Sequence, residues 1–424
     1  MDTFIQKLKI IVGEKSIRDR VLFVLLALVV FRALAAVPIP GVDALVLEQF
    51  FSNNQFLGLM NIFSGGGLAN LSIIMLGVGP FITASIIMQL MTIMSPKLKA
   101  MYSEEGETGR ARFTQYSRLL TLPLAILQAF GFLSLLRSQG VLTGLSAEEF
   151  ILNVIIVAAG SVLLLWLGEL VTEYGIGNGV SIIIFAGIVA ALPTSISQFL
   201  FNFDASQVPL LVGFVVAALA ITYGVVVMTQ AERQVPITHA KQVRGGQTYG
   251  GTTSYLPLRL NQAGVIPIIF ALSILLFPQM LLNILLSFND GDAVASWQEH
   301  ITAFLNNQVL YAAVYFLLVF VFTFFYTTVT FDPDAMSKNL QRTGAFIPGV
   351  RPGTHTSAYL GRLIARLTFT GALFLGVIAV LPMIMQILTQ VQTLAIGGTA
   401  LLIAVSVVID IVRRVDSQVS LRQY

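Results

Sequence analysis

Apolar runs of about twenty residues recur along nearly the whole chain, each long enough to cross a hydrocarbon layer of about 30 Å as a single helix. They fall at 21–38, 72–94, 117–137, 150–172, 179–200, 208–229, 262–287, 307–331, 366–386 and 391–412. None shows the strict alternation of a barrel strand. With 56% of the 424 residues hydrophobic and 11% charged, no soluble core has room for this much apolar surface. The pattern predicts an all-α polytopic membrane protein of about ten transmembrane helices.

Positive charge fixes the orientation. Of the 24 Lys and Arg, 22 fall on one face. Lys7, Lys9, Lys15, Arg18 and Arg20 precede the first span. Lys97, Lys99, Arg110, Arg112 and Arg118 lie between the second and third, and Arg233, Lys241, Arg244 and Arg259 between the sixth and seventh. Lys338, Arg342, Arg351, Arg362 and Arg366 lie between the eighth and ninth, and Arg413, Arg414 and Arg422 follow the tenth. Only Arg32 and Arg137 are left over, and Arg32, in the outer half of span one, reads as a snorkelling cation. The opposite loops carry Asp43, Glu48, Glu148, Glu149, Asp204, Asp290, Asp292 and Glu299. Both termini are therefore expected in the cytoplasm. Residues 1–20 lack an apolar core with a cleavage site and read as an amphipathic segment on the membrane surface.

Ten spans divide into two groups of five, 21–200 and 201–412, with a tail at 413–424. Spans two and seven carry a glycine and a proline near their starts, "LGVGPFI" and "AGVIPIIF". Matching interrupted helices in two halves suggest pseudo-symmetric inverted repeats with a site between them. The stretch before span two, "NIFSGGGLANL", is too rich in glycine for a stable helix.

The expected site is chemically bare. Spans two, five and seven contain no ionisable residue, whereas transporters and proton pumps place such residues at mid-membrane. The chain has no cysteine, and its three histidines, His239, His300 and His355, are scattered in polar loops, so neither a metal nor another cofactor is expected. "VGEKS" at 12–16 lacks the glycine and the GK[ST] of a phosphate loop. No catalytic residue is predicted, and uphill work would need an outside source of energy. A membrane-embedded enzyme and a small-solute transporter both lack the polar groups they require. What remains are branched aliphatics one helical turn apart, Val78 with Ile82 and Val180 with Ile184, together with Ile266 and Ile403. They fit either ordinary packing or a constriction that excludes ions by dewetting.

Two basic cytoplasmic loops are long for a compact bundle. Residues 231–261 show two β-type runs about a turn at 244–246, and 332–365 contain "GAFIPGVRPGTHT", whose prolines and glycines predict a stiff turn displaying Arg351. Such fingers suit docking onto a large acidic protein or RNA surface.

Six blocks spread over the chain then carry a resemblance. "NIFSGGGLANLSIIMLGVGPFITASIIMQL", "EEGETGRARFTQYSR", "TEYGIGNGVSIIIFAGIVA", "LPLRLNQAGVIPIIFA", "GAFIPGVRPG" and "GGTALLI" resemble, in order, the signatures of the SecY family of protein-conducting channel subunits. The resemblance implies a passive, gated pore for unfolded polypeptides in the bacterial cytoplasmic membrane, with lateral release of transmembrane segments into lipid. It makes 57–70 a plug half-helix before span two, including Met60, Asn61, Ile62, Phe63, Ser64, Gly65, Gly66 and Gly67. It makes Val78, Ile82, Val180, Ile184, Ile266 and Ile403 a pore ring, with two valines where the family generally prefers isoleucine. It places a lateral gate between spans two and seven, where Thr83, Ser85, Gln128 and Ser273 are gate contacts or ordinary interhelical hydrogen bonds. Arg351, Lys241 and Arg244 match the partner-docking loops. The implied partners are SecE and SecG in the membrane, the motor ATPase SecA, the ribosome, preproteins with signal sequences, membrane lipid, and SecDF and YidC.

Overall fold

The computed structural model describes residues 13–41, 66–68, 70–103, 105–138, 140–142, 146–201, 208–239, 242–244, 247–249, 253–288, 296–297, 300–301, 303–304, 307–389 and 397–420. Each of the ten apolar windows holds one helix. These are α1 (Lys15–Ala35), α2 (Gly79–Met94), α4 (Gly106–Ser138), α5 (Ala147–Tyr174), α6 (Gly179–Phe201), α7 (Val208–Gln230), α8 (Ile266–Phe288), α9 (Gln308–Thr330), α11 (Thr354–Thr389) and α12 (Gly397–Ser420). Two shorter helices, α3 (Pro96–Ser103) and α10 (Pro333–Arg342), lie in the connections after α2 and α9. Among the described residues four stretches are each long and apolar enough to cross a membrane: Gly106–Arg137, Ala147–Tyr174, Gln308–Arg342 and Thr354–Leu381. The pair Gly79–Met94 and Pro96–Tyr102, bent by 117°, makes a fifth. Gly179–Ala191, Ala218–Gln230 and Ile266–Leu275 are shorter apolar helices.

Several helices begin earlier than their apolar windows. α11 starts at Thr354, twelve residues before 366, and its 36 residues measure about 54 Å at 1.5 Å per residue. That exceeds a hydrocarbon layer of about 30 Å, so its first turns, with Arg362 and Arg366, stand outside. α4 likewise begins at Gly106 and carries Arg110 and Arg112 on its polar end. Span two does the opposite. Its helix begins only at Gly79, with Pro80 inside the first turn, where the missing N–H costs nothing. Residues 70–78 run as successive turns, yet Leu71, Ile74, Met75 and Val78 are fully buried.

Three apolar clusters organise the helices. One joins Ala129, Leu133 and Leu136 of α4 and Val154 and Val157 of α5 to Leu68, Leu71 and Met75. A second joins α8, α9 and α11 through Ile268, Leu272, Tyr315, Val319, Leu375 and Ala379, and takes in Ile86 of α2. The third lies between them and draws on α1, α5, α6 and α12. The outward faces are apolar as well, with Val29, Leu119 and Leu219 exposed, as lipid solvation requires.

On the basic side the chain forms a small sheet. β1 (Glu232–His239) pairs antiparallel with β4 (Thr253–Arg259), Val235 opposite Leu256, while β2 (Gln242–Arg244) and β3 (Gln247–Tyr249) pair antiparallel, Arg244 opposite Gln247. β5 (Ala345–Phe346) adds to the other edge of β1, Thr238 opposite Phe346. The sheet order β4-β1-β5 ties the two long loops together. Val235, Leu258, Ile347, Leu360 and Ile364 close a separate core beneath it.

One of the two tightest glycine contacts is at Gly160 of α5, where a Cβ would overlap the carbonyl oxygen of Ile73. Gly160→Ala should therefore displace 72–78 and destabilise the protein by about 1–3 kcal/mol, the usual cost of overpacking. Gly213→Ala, with open space at its Cβ, should be neutral or slightly stabilising. Thermal unfolding in detergent compares them, and equal midpoints would refute the contact.

Candidate functional site

The central cluster is built from five segments that the sequence scatters over more than 300 residues. The last turn before α2 delivers Val78, and the first turn of α2 delivers Ile82. α6 starts where Gly179 passes so close to the Gly168 carbonyl of α5 that a Cβ would overlap it. The Gly179 N–H donates to Thr172 Oγ1 at 2.8 Å, and Thr172 Oγ1 donates to Gly168 O at 2.8 Å. This junction aims Val180 and Ile184 at the cluster. Val78, Ile184 and Ile403 are fully buried within it, and Ile82 and Val180 pack against it. Ile82 also packs against the α8–α9–α11 cluster, so it bridges the two bodies.

The start of α8 repeats the start of α2. Gly77-Val78-Gly79-Pro80 and Gly264-Val265-Ile266-Pro267 share a pattern and a conformation: Gly77 has φ 58° and Gly264 φ 61°, each two residues before a helix start. This left-handed turn is natural to glycine. Val265 is thus the positional counterpart of Val78, and it packs against the same central cluster. Ile266 packs against the neighbouring one. Ile269, half-buried one turn on, holds the place that Ile82 holds on α2.

No charged side chain belongs to this cluster. Two acidic residues near helix ends pair at its periphery. Glu169 of α5 meets Arg118 of α4, and Asp410 accepts from Arg414 Nε at 3.0 Å one turn along α12. Among the described residues no group of three His, Asp or Glu could hold a metal ion. An arrangement of aliphatic side chains can do no acid–base or nucleophilic chemistry. It can touch and part.

Around α2, the helices α4 and α8 pack against it and against each other. Gln128 Nε2 of α4 donates to Thr83 Oγ1 of α2 at 3.3 Å, and Thr83 Oγ1 donates to the Gly79 carbonyl at 3.1 Å. Ser273 donates to Ile269 O within its own helix at 2.9 Å, and Ser85 is half-buried on α2. The predicted gate residues therefore supply one cross-helix bond, between α2 and α4, while the α2–α8 contact is apolar.

Of the predicted plug, Met60, Asn61, Ile62, Phe63, Ser64 and Gly65 lie outside the described residues, as does Lys241. Gly66 has φ 81°, and Gly67 is buried. The segment that follows is pinned to the end of α1. Ile39 N donates to Leu71 O at 2.9 Å, Ile73 N donates to Val37 O at 3.0 Å, and Asn70 Nδ2 donates to Ala35 O at 3.4 Å. Sequence reasoning missed this fastening, because a two-bond bridge leaves no periodic signal.

On the basic side Arg351 is exposed on a stiff turn. Gly349 and Gly353, at φ 81° and 93°, flank it. Its carbonyl accepts from Thr356 Oγ1 at 2.9 Å, and the Gly353 carbonyl accepts from Ser337 Oγ at 2.7 Å. Buried Ile347 anchors the other side. Arg244 ends β2, opposite Gln247 of β3.

Comparisons with known proteins agree with this architecture. The family model described as SecY matches residues 72–412. A protein translocase subunit SecY from Mycobacterium leprae is 38% identical over 100% of this chain and 99% of its own length. Another from Thermotoga maritima is 41% identical over 96% of this chain and 94% of its own. A solved protein-conducting channel superposes with TM-score 0.64 over 96% of this chain and 93% of its own at 18% identity, so that likeness speaks for the fold. The chain belongs to the SecY family.

Proposed function

We propose that the chain is the pore-forming subunit of a protein translocase, a passive channel that passes unfolded polypeptides across a membrane and releases apolar segments sideways into lipid. The observation that carries this reading is the central cluster. Val78, Ile82, Val180, Ile184 and Ile403 meet there, with Val265 and Ile266 at the start of α8 beside them, and none of them can be charged. Branched aliphatic side chains exclude ions by dewetting when they touch. They make no hydrogen bonds that would select one solute, so they admit any chain that parts them.

The lateral exit is the α2–α8 seam. Its facing residues are apolar, and an apolar segment leaving between them exchanges one hydrophobic neighbour for another. Thr83, Ser85, Gln128 and Ser273 line or flank the seam. The plug of this reading is 57–70, most of which lies outside the described residues, and it would seal the ring from the outer side. Being rich in glycine, it forms a weak helix and leaves readily.

Energy must come from cytoplasmic partners, since the chain supplies no nucleotide site. Arg351, Lys241 and Arg244 would meet a motor ATPase such as SecA or a ribosome. A solved structure of Sec61 in a canine ribosome–channel complex supports the ribosome as one of them. SecE and SecG are the proposed membrane subunits, with SecDF and YidC as associates, and the proposed location is a bacterial cytoplasmic membrane with both termini inside. The β1–β5 pairing gives the two docking loops one rigid frame.

Arg351→Glu reverses an exposed charge outside the core. In proteoliposomes containing the complete complex, it should cut ATP-driven export of a preprotein at least tenfold, as for a rim charge whose loss costs over about 1.4 kcal/mol of docking. Insertion of a strongly apolar membrane segment should fall less. Equal loss of both would point to misfolding, and no loss of export would remove Arg351 from the docking site. Gln128→Leu removes the α2–α4 bond, worth about 0.6 kcal/mol on average within membranes. It should change the inserted fraction of a marginally apolar test segment about two- to threefold, read by protease protection. An unchanged fraction would leave the Thr83–Gln128 pair as packing only.

A further inference from the structure

The docking sheet grows out of the bundle at a short base. α7 ends at Gln230 and β1 begins at Glu232, while β4 ends at Arg259 and α8 begins at Ile266. Backbone bonds close the base: Leu260 N donates to Ala231 O at 2.9 Å, and Ala231 N donates to Val227 O at 2.8 Å. On the α8 side, buried Asn261 donates through Nδ2 to Gly264 O at 3.3 Å, across the turn that precedes Val265. The sheet therefore shares its foot with the end of α7 and the start of α8.

A further link comes from a distant helix. Arg413 Nη2 of α12 donates to Thr229 O of α7 at 3.1 Å, across 184 residues of sequence. Thr229 lies in the last turn of α7, where carbonyls have no helical N–H to accept from and the helix end favours a cation. Topology alone would suit any Lys or Arg at this end of α12. Its neighbour Arg414 supplies the comparison, being exposed and bonded to Asp410 of its own helix. Arg413 instead reaches across to another helix. The same α12 carries Ile403, fully buried in the central cluster about 15 Å away at 1.5 Å per residue. Val407 and Ile409 are buried between them, so α12 is packed along that length and transmits displacement. One end of α12 thus holds the ring, and the other holds the foot of the docking sheet.

We propose that Arg413 is a positioning residue that couples the docking sheet to the aliphatic ring: by holding the α7–β1 junction against α12, it lets a load on the docking loops displace the helix that carries Ile403. The inference rests on the docking and pore readings above. Arg413 touches neither the motor nor the translocating chain; it acts through Thr229 on one side and Ile403 on the other. Without its bond the sheet still stands on its own core of Val235, Leu258, Ile347, Leu360 and Ile364. A partner would still dock, but docking would no longer reach α12.

The test uses the complete complex in proteoliposomes with the motor ATPase SecA and a preprotein. It measures the Kd of SecA for the complex and, separately, the export rate at saturating SecA. The variants are Arg413→Gln, Arg413→Lys, Arg414→Gln and Arg351→Glu. Arg351→Glu should raise the Kd; if it does not, the docking reading itself fails and the coupling falls with it. Arg413→Gln should leave the Kd within about twofold of the parent and cut the saturated rate about tenfold, the factor expected from losing one hydrogen bond to a charged donor. Arg413→Lys should fall between it and the parent, because the charge remains and the planar fork is lost. Arg414→Gln removes the same charge from the next residue and should match the parent. A parental rate in Arg413→Gln would overturn the coupling and leave docking intact. An equal loss in Arg414→Gln would assign the effect to net charge, and a rise in Kd matching that of Arg351→Glu would place Arg413 in the docking surface itself; either would overturn the coupling as well. Should Arg413→Gln fail to assemble, Arg413→Lys decides by the same comparison, and a rate equal to the parent's would count against the proposal.

Discussion

Residues 70–78 run through the bundle to the start of α2 without a helix, and the rest of the molecule is arranged around that fact. Backbone N–H and C=O groups in hydrocarbon must find partners within the protein, since lipid offers none. Here they do so locally and through α1: Ser72 N donates to Gly67 O at 2.8 Å, Gly77 N to Ile74 O at 2.8 Å, and the bridge to 37–39 accounts for Leu71 and Ile73. α5 seals the other side, with Gly160 against the Ile73 carbonyl. Only a segment so enclosed can place Val78 at the centre of the bundle and still start α2 at Gly79.

The same device recurs in the second half. Gly264 repeats the turn of Gly77, and Pro267 repeats Pro80. Two interrupted helices then face one another across an apolar seam, and α6 and α12 complete the surround. A site made this way is held together by contact among aliphatic side chains, each contact worth little and none directional. It closes when empty and yields to a load. The ion pairs Arg118–Glu169 and Arg414–Asp410 lie away from the centre.

Much of this was legible in the sequence. The apolar windows located all ten helices that fill them, because apolar length is a strong signal. The Gly-Pro starts of spans two and seven and the β-type runs about 244–246 were equally plain. Three things were not. The polar first turns of α11 carry no apolar window, so the helix begins at Thr354 rather than near 366. β5 is two residues long, below any periodic signal, yet it joins the two basic loops. The bridge from 37–39 to 71–73 is two bonds long and leaves no periodic signal, yet it fastens the segment before α2 to the end of α1.

The most direct test of a polypeptide pore uses the absence of cysteine from the chain. Single cysteines at Ile82, Ile184, Val265 and Ile266 would each be combined with a secretory chain that carries one cysteine and is stalled partway across the membrane. Oxidation should give a disulfide at Ile82, Ile184 and Val265, a weaker one at Ile266, and none at exposed Leu219 on α7. Disulfides absent at every central position, with the stalled chain shown by protease protection to span the membrane, would contradict a polypeptide path through the aliphatic ring.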